Sequence, residues 1–162
     1  MLQFKTPKQD IFNDVARAYR KNRRDPWVKW RLRRAMTVVV NYWRMAVVGK
    51  TPRRTGALQR SIYGKVRVPG GRIIGIVGSD LKHAVWMEYG TKPHIILPRR
   101  AKALRFIGRD GQVVFARRVK HPGTRPRRMF ERGGQEARPF AVSHLRKALR
   151  DVAYYIARRK EG

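Results

Sequence analysis

His83, His94, His121 and His144 are the side chains here best suited to holding a metal or relaying a proton. No two stand at the i, i+4 spacing that places a zinc pair on one helical face. The carboxylates that could hold magnesium for phosphodiester cleavage are equally sparse. Between residues 51 and 120 they are Asp80, Glu88 and Asp110. Asp80 and Glu88 would be two members of such a cluster. The simpler reading places Asp80 in a turn and pairs Glu88 with an arginine, Arg53 or Arg54 first. There is no cysteine, so no thiol nucleophile and no thiolate zinc site. The chain has neither the glycine spacing of a phosphate loop nor a serine elbow. The expectation is a protein that is not an enzyme and uses no cofactor.

What the sequence does have is positive charge. Of 162 residues, 40 are Lys or Arg and 10 are Asp or Glu, a formal net charge of +30. Every third of the chain is positive, so this is a basic folded body rather than a basic tail. Such a charge repels itself and implies polyanions or acidic partner surfaces. Arginine predominates, and its planar fork suits phosphates and carboxylates. The expected contacts for DNA or an acidic partner are Arg23, Arg24, Arg33, Arg34, Arg53, Arg54, Arg99, Arg100, Arg117, Arg118, Arg127 and Arg128. They are scattered over many elements, with no helix-turn-helix, zinc-finger or RNA-recognition signature. No apolar run approaches the roughly 20 residues of a membrane helix, so no membrane partner is expected.

Hydrophobic residues make up 42% of the chain, enough for a core. Thr6-Pro7-Lys8-Gln9 reads as a capping box that opens a short helix near 7–21. Asp25-Pro26 reads as N-cap and first helical residue of a second helix, ending near Val48 at Gly49. Trp27, Trp30, Val38 and Tyr42 fall off that helix's main apolar stripe, so a second surface should cover them. The short first helix and a neighbouring subunit are equal candidates. From Ser61 the period changes to two, and 61–78 reads as a hairpin turning at Pro69-Gly70-Gly71. Leu81–Tyr89 is a short apolar element of ambiguous period. Residues 104–119 read as a second hairpin, and 140–159 as a final amphipathic helix. Irregular stretches are expected at 91–102 and 120–138. The fold class is α+β: a small antiparallel sheet of two hairpins packed with the long helix and the C-terminal helix. An arm over 1–24 would precede a single domain over 25–162.

Residues 51–61, Thr-Pro-Arg-Arg-Thr-Gly-Ala-Leu-Gln-Arg-Ser, resemble a segment of the neck, or head–tail joining, proteins of tailed phages. The type member is gene product ten of a lambdoid coliphage, and the Z tail protein of phage lambda is distantly similar. The matching positions are Thr51, Pro52, Thr55, Gly56, Leu58 and Ser61. A second mark is Glu88-Tyr89-Gly90-Thr91 closing an apolar-aromatic stretch from Ala84. A third is Ala103–Phe106 followed by His121-Pro122-Gly123. The fourth is Pro139-Phe140. Glycine at 56 and 90, where the chain leaves an element, reads as turn-forming rather than ligand-binding.

The resemblance implies a structural virion protein in the neck or tail, assembled in the host cytoplasm. It implies a homo-oligomeric ring, six-fold in preference to twelve-fold, around the channel for packaged DNA. Head-completion and tail-terminator or tail-tube proteins would be its neighbours. Closing such a ring needs heterologous interfaces. Trp27, Trp30, Val38, Tyr42 and the 120–138 stretch are the expected interface elements. The competing reading is a free-standing basic DNA- or RNA-binding protein.

Overall fold

The computed structural model describes residues 19–22, 24–108 and 110–159. The capping box at 6–9, most of the expected first helix and Arg23 lie outside them. Residues 19–22 are helical. The long helix α1 spans Pro26–Lys50, and a single turn, α2, spans Ala57–Ser61. Strands β1, Ile62–Arg67, and β2, Ile74–Ser79, follow. Helix α3 spans His83–Tyr89, and β3 spans His94–Ile96. Then come β4, Leu104–Ile107, β5, Val113–Ala116, and β6, Val119–His121. Helix α4, Met129–Arg158, ends the described chain.

The fold class is the α+β arrangement read from the sequence, with both hairpins in place. Three separate antiparallel ladders are formed, β1–β2, β3–β6 and β4–β5. The chain divides into two compact units, residues 1–79 with 130–162, and residues 80–129.

In the first unit, Val28, Leu32 and Ala35 of α1 meet Ala148 and Val152 of α4 in a core sealed by Leu145 and Ile156. The β1–β2 hairpin packs on the neighbouring face of α1, at Met36, Val40 and Arg44. Gly64 and Gly75 make that approach possible. A Cβ on Gly64 would lie 2.6 Å from a Val40 methyl, and one on Gly75 2.5 Å from the other. Side chains there would push the hairpin off the helix.

Residues 120–138 depart from expectation. They hold the end of β6 and, from Met129, ten residues of α4, so the final helix starts eleven residues before 140. Gly133, Gly134 and Pro139 made this stretch read as irregular, because they are poor helix formers. Packing overrides the propensity. A Cβ on Gly133 would lie 2.8 Å from the Val47 backbone nitrogen, so glycine lets α4 press against α1. Ala137 is buried one turn further on. Pro139 therefore sits inside a helix rather than at its start, and leaves the Gln135 carbonyl without its helical donor. Two smaller differences follow. Leu81–Tyr89 resolves into the helix α3, and the 91–102 stretch contributes β3, paired with β6.

Candidate binding cleft

The N-terminal half of α1 is fixed by its cap and by α4. Asp25 Oδ1 accepts from the N–H groups of Trp27, at 2.9 Å, and Val28, at 3.1 Å. Its Oδ2 meets Arg159 at 2.6 Å. The Val28 N–H chiefly holds the Asp25 carboxyl below its ordinary value. The Trp27 N–H, the Arg159 charge and the Tyr155 hydroxyl act in the same direction, while partial desolvation opposes them. Trp27 stacks on Tyr155 at 4.2 Å between centroids, and Arg31 Nε donates to Asp151 at 2.9 Å. These bonds set the rotation of the helix about its own axis.

That rotation sends Lys29, Trp30, Arg33 and Arg34 outward together. With Arg24 they form the cationic wall of a cleft of about 760 Å³. Val68 and Ile73, flanking the β1–β2 turn, form the aliphatic wall opposite. Among the described residues, no acidic side chain lines the cleft. Trp30 is 51% exposed, and the Arg34 guanidinium lies 5.3 Å from its ring centroid. The arrangement can take an anion and an apolar group side by side. Sequence reading had assigned Arg24, Arg33 and Arg34 to polyanion contact and Trp30 to a subunit interface. Lys29, Val68 and Ile73 were not singled out. The i, i+4 spacing of Lys29 and Arg33 was a legible signal for the first, whereas the far wall arises only from the hairpin's packing.

The other off-stripe residues have different fates. Trp27 is covered by Tyr155, and Tyr42 stacks on Phe140 at 4.3 Å, so α4 supplies much of the second surface. Val38 and Tyr42 are each still 39% exposed. Arg53 and Arg54 are exposed in the first unit; Arg99, Arg100, Arg117, Arg118, Arg127 and Arg128 are exposed in the second.

The motif residues are structural in their bonding. Thr51 is buried, and its hydroxyl donates to the Val47 carbonyl at 2.7 Å, closing α1. Gln59 Nε2 donates to the Thr51 carbonyl at 3.0 Å. Pro52 is exposed, and the Thr55 hydroxyl accepts from the Ala57 N–H at 3.3 Å. Gly56 has φ +74°, Leu58 is buried, and Ser61 joins the Ser79 hydroxyl at 2.7 Å across β1 and β2.

In the second unit, motif stretches some thirty residues apart are brought together. Thr91 and Thr124 exchange backbone hydrogen bonds at 3.0 and 3.1 Å. Gly90 and Gly123 flank that bridge with φ of +75° and +87°, and a Cβ on either would collide with the opposing carbonyl. His121 Nδ1 accepts from the Gly123 N–H at 3.0 Å, and Pro122 between them is exposed. Glu88 is buried and engaged, while Tyr89 beside it is 77% exposed. Among the described residues, no group of three or more His, Cys, Asp or Glu side chains could hold a metal ion. No helix among them is long and apolar enough to cross a membrane.

Residues 17–90 match the family model described as "Bacteriophage HK97-gp10, putative tail-component". Through this stretch the chain is similar to structural tail components of tailed phages, as its motifs indicated. The match includes the 51–61 motif and the second motif up to Gly90. The distant likeness to the lambda Z protein forms no part of it. No curated protein and no solved structure matches the chain.

Proposed function

We propose that this protein is a ring-forming neck or tail-completion subunit, joining head to tail around the DNA channel of a tailed phage. The family match over residues 17–90 carries the reading. Exposed side chains on the second unit support it: Trp86, Tyr89, Ile107 and Phe115 are each more than half exposed. Large apolar side chains exposed in this way are available for protein–protein contact. Head-completion and tail-terminator or tail-tube proteins would be the neighbours. Six-fold symmetry is the expected closure, and virion neck or tail the site.

Symmetry-resolved imaging of particles tests this. A closed ring at the neck is the expected result, and one central copy would overturn it. The exposed arginines make packaged DNA a further proposed contact. Duplex binding should then be sequence-independent, with log K falling by about 0.9 per phosphate neutralised for each tenfold rise in salt. A strong preference for one sequence would instead favour a free-standing nucleic-acid-binding protein.

A further inference from the structure

The Trp30 cleft holds two kinds of recognition surface. One of its walls, α1 with Arg24 just before it, gathers four cations, Arg24, Lys29, Arg33 and Arg34, with the Trp30 indole. Its hairpin wall offers only the aliphatic side chains of Val68 and Ile73. We infer that the cleft is a docking site for an acidic peptide segment of a partner protein, one carrying a bulky apolar side chain. Carboxylates would meet the guanidinium groups as forked, charge-assisted pairs. The apolar side chain would lie between Trp30 and the aliphatic wall.

Other occupants fit less well. A duplex backbone presents phosphates but nothing apolar for Trp30, Val68 and Ile73. A single strand could stack a base on Trp30. However, the far wall is formed by the aliphatic side chains of Val68 and Ile73, which do not read a base edge. A second copy of this chain has little acid to offer. Its acidic residues are nowhere closer than Asp10 and Asp14, which Lys8 and Arg17 flank. Charge complementarity therefore selects a different, acidic protein. The inference concerns the isolated chain, so it stands or falls separately from ring closure.

The test titrates the intact chain with a fluorescent synthetic peptide, six Asp and Glu residues around one Phe and one Leu. Fluorescence anisotropy reports binding. Trp30→Ala should weaken it about tenfold, and the pair Lys29→Glu with Arg33→Glu by more, roughly a hundredfold. Replacing the peptide's Phe and Leu by Ser, with its charge unchanged, should cost about tenfold on the wild-type protein. Trp30 is half exposed, so its loss should leave the melting temperature unchanged. Val68→Glu, on the opposite wall, is the second variant and should weaken binding comparably. Binding that ignores Trp30→Ala, Val68→Glu and the Ser replacement would overturn the inference, leaving only diffuse charge attraction. So would an oligothymidylate whose binding depends on Trp30 when that of the peptide does not.

Discussion

The two compact units handle their apolar residues in opposite ways. In the first, Val28, Ala35, Val47, Ile62, Ala148 and Val152 are each at most 9% exposed. α1 is covered by α4 and, on the adjoining face, by the hairpin. In the second, two-stranded ladders β3–β6 and β4–β5 carry Ile95, Ile107 and Phe115 at 58%, 72% and 67% exposure. Isolated two-stranded ladders are marginal in water. The first unit encloses a core between helices and hairpin, whereas the ladders of the second leave these apolar side chains in solvent.

Substitutions can break this contrast or sharpen it. The largest loss of stability is expected in the first unit. Ile62→Ala should cost about 2–5 kcal/mol in chemical denaturation, through lost transfer energy and a residual cavity. A cost below about 1 kcal/mol would mean that the core is not where stability resides. Gly133→Ala comes next, at roughly 1–3 kcal/mol, because its methyl meets the Val47 backbone. A neutral result would show that the α1–α4 crossing can relax.

Asp25→Ala should cost about 1 kcal/mol, the usual value of an N-cap. Its pH dependence carries a sign. The folded pKa lies below the unfolded value, so Asp25 stabilises fully above about 3.8. That contribution disappears as pH falls through the folded pKa. The wild type and Asp25→Asn should therefore differ at pH 7 and converge as the pH falls through the folded pKa. A constant gap in melting temperature across that range would refute the cap's role.

The smallest effect on stability is expected in the second unit. Ile107→Ser and Phe115→Ser should shift the free subunit by no more than about 0.5 kcal/mol. Both should nevertheless prevent incorporation into particles, measured by complementation of a tail-defective phage. Unfolding of either variant would show that these residues pack within the chain, and the contrast between units would fail.

Some of this was readable from local chemistry. Asp25-Pro26 marked the start of α1 because a carboxylate cap and a proline ring favour the same geometry. The change to alternating apolar residues after Ser61 marked β1 and β2. Gly56 and Gly90 were read as turn-forming, and both have positive φ.

Other features lay outside the reach of local reading. Gly133, Gly134 and Pro139 individually oppose a helix, and only the groove along α1 makes glycine useful there. Thr91 meets Thr124, and His94 meets His121, across intervals that no local period encodes. The far wall of the cleft depends on where the hairpin docks. Composition and short-range periodicity determined the class, the charge and most elements, because those follow from each residue's own conformational and solvation preferences. Tertiary structure alone decided the reach of α4, the pairing of β3 with β6 and the grouping of Trp30 with Val68. Each of these arises from a close approach between distant segments, whose free energy belongs to the pair and to neither sequence alone.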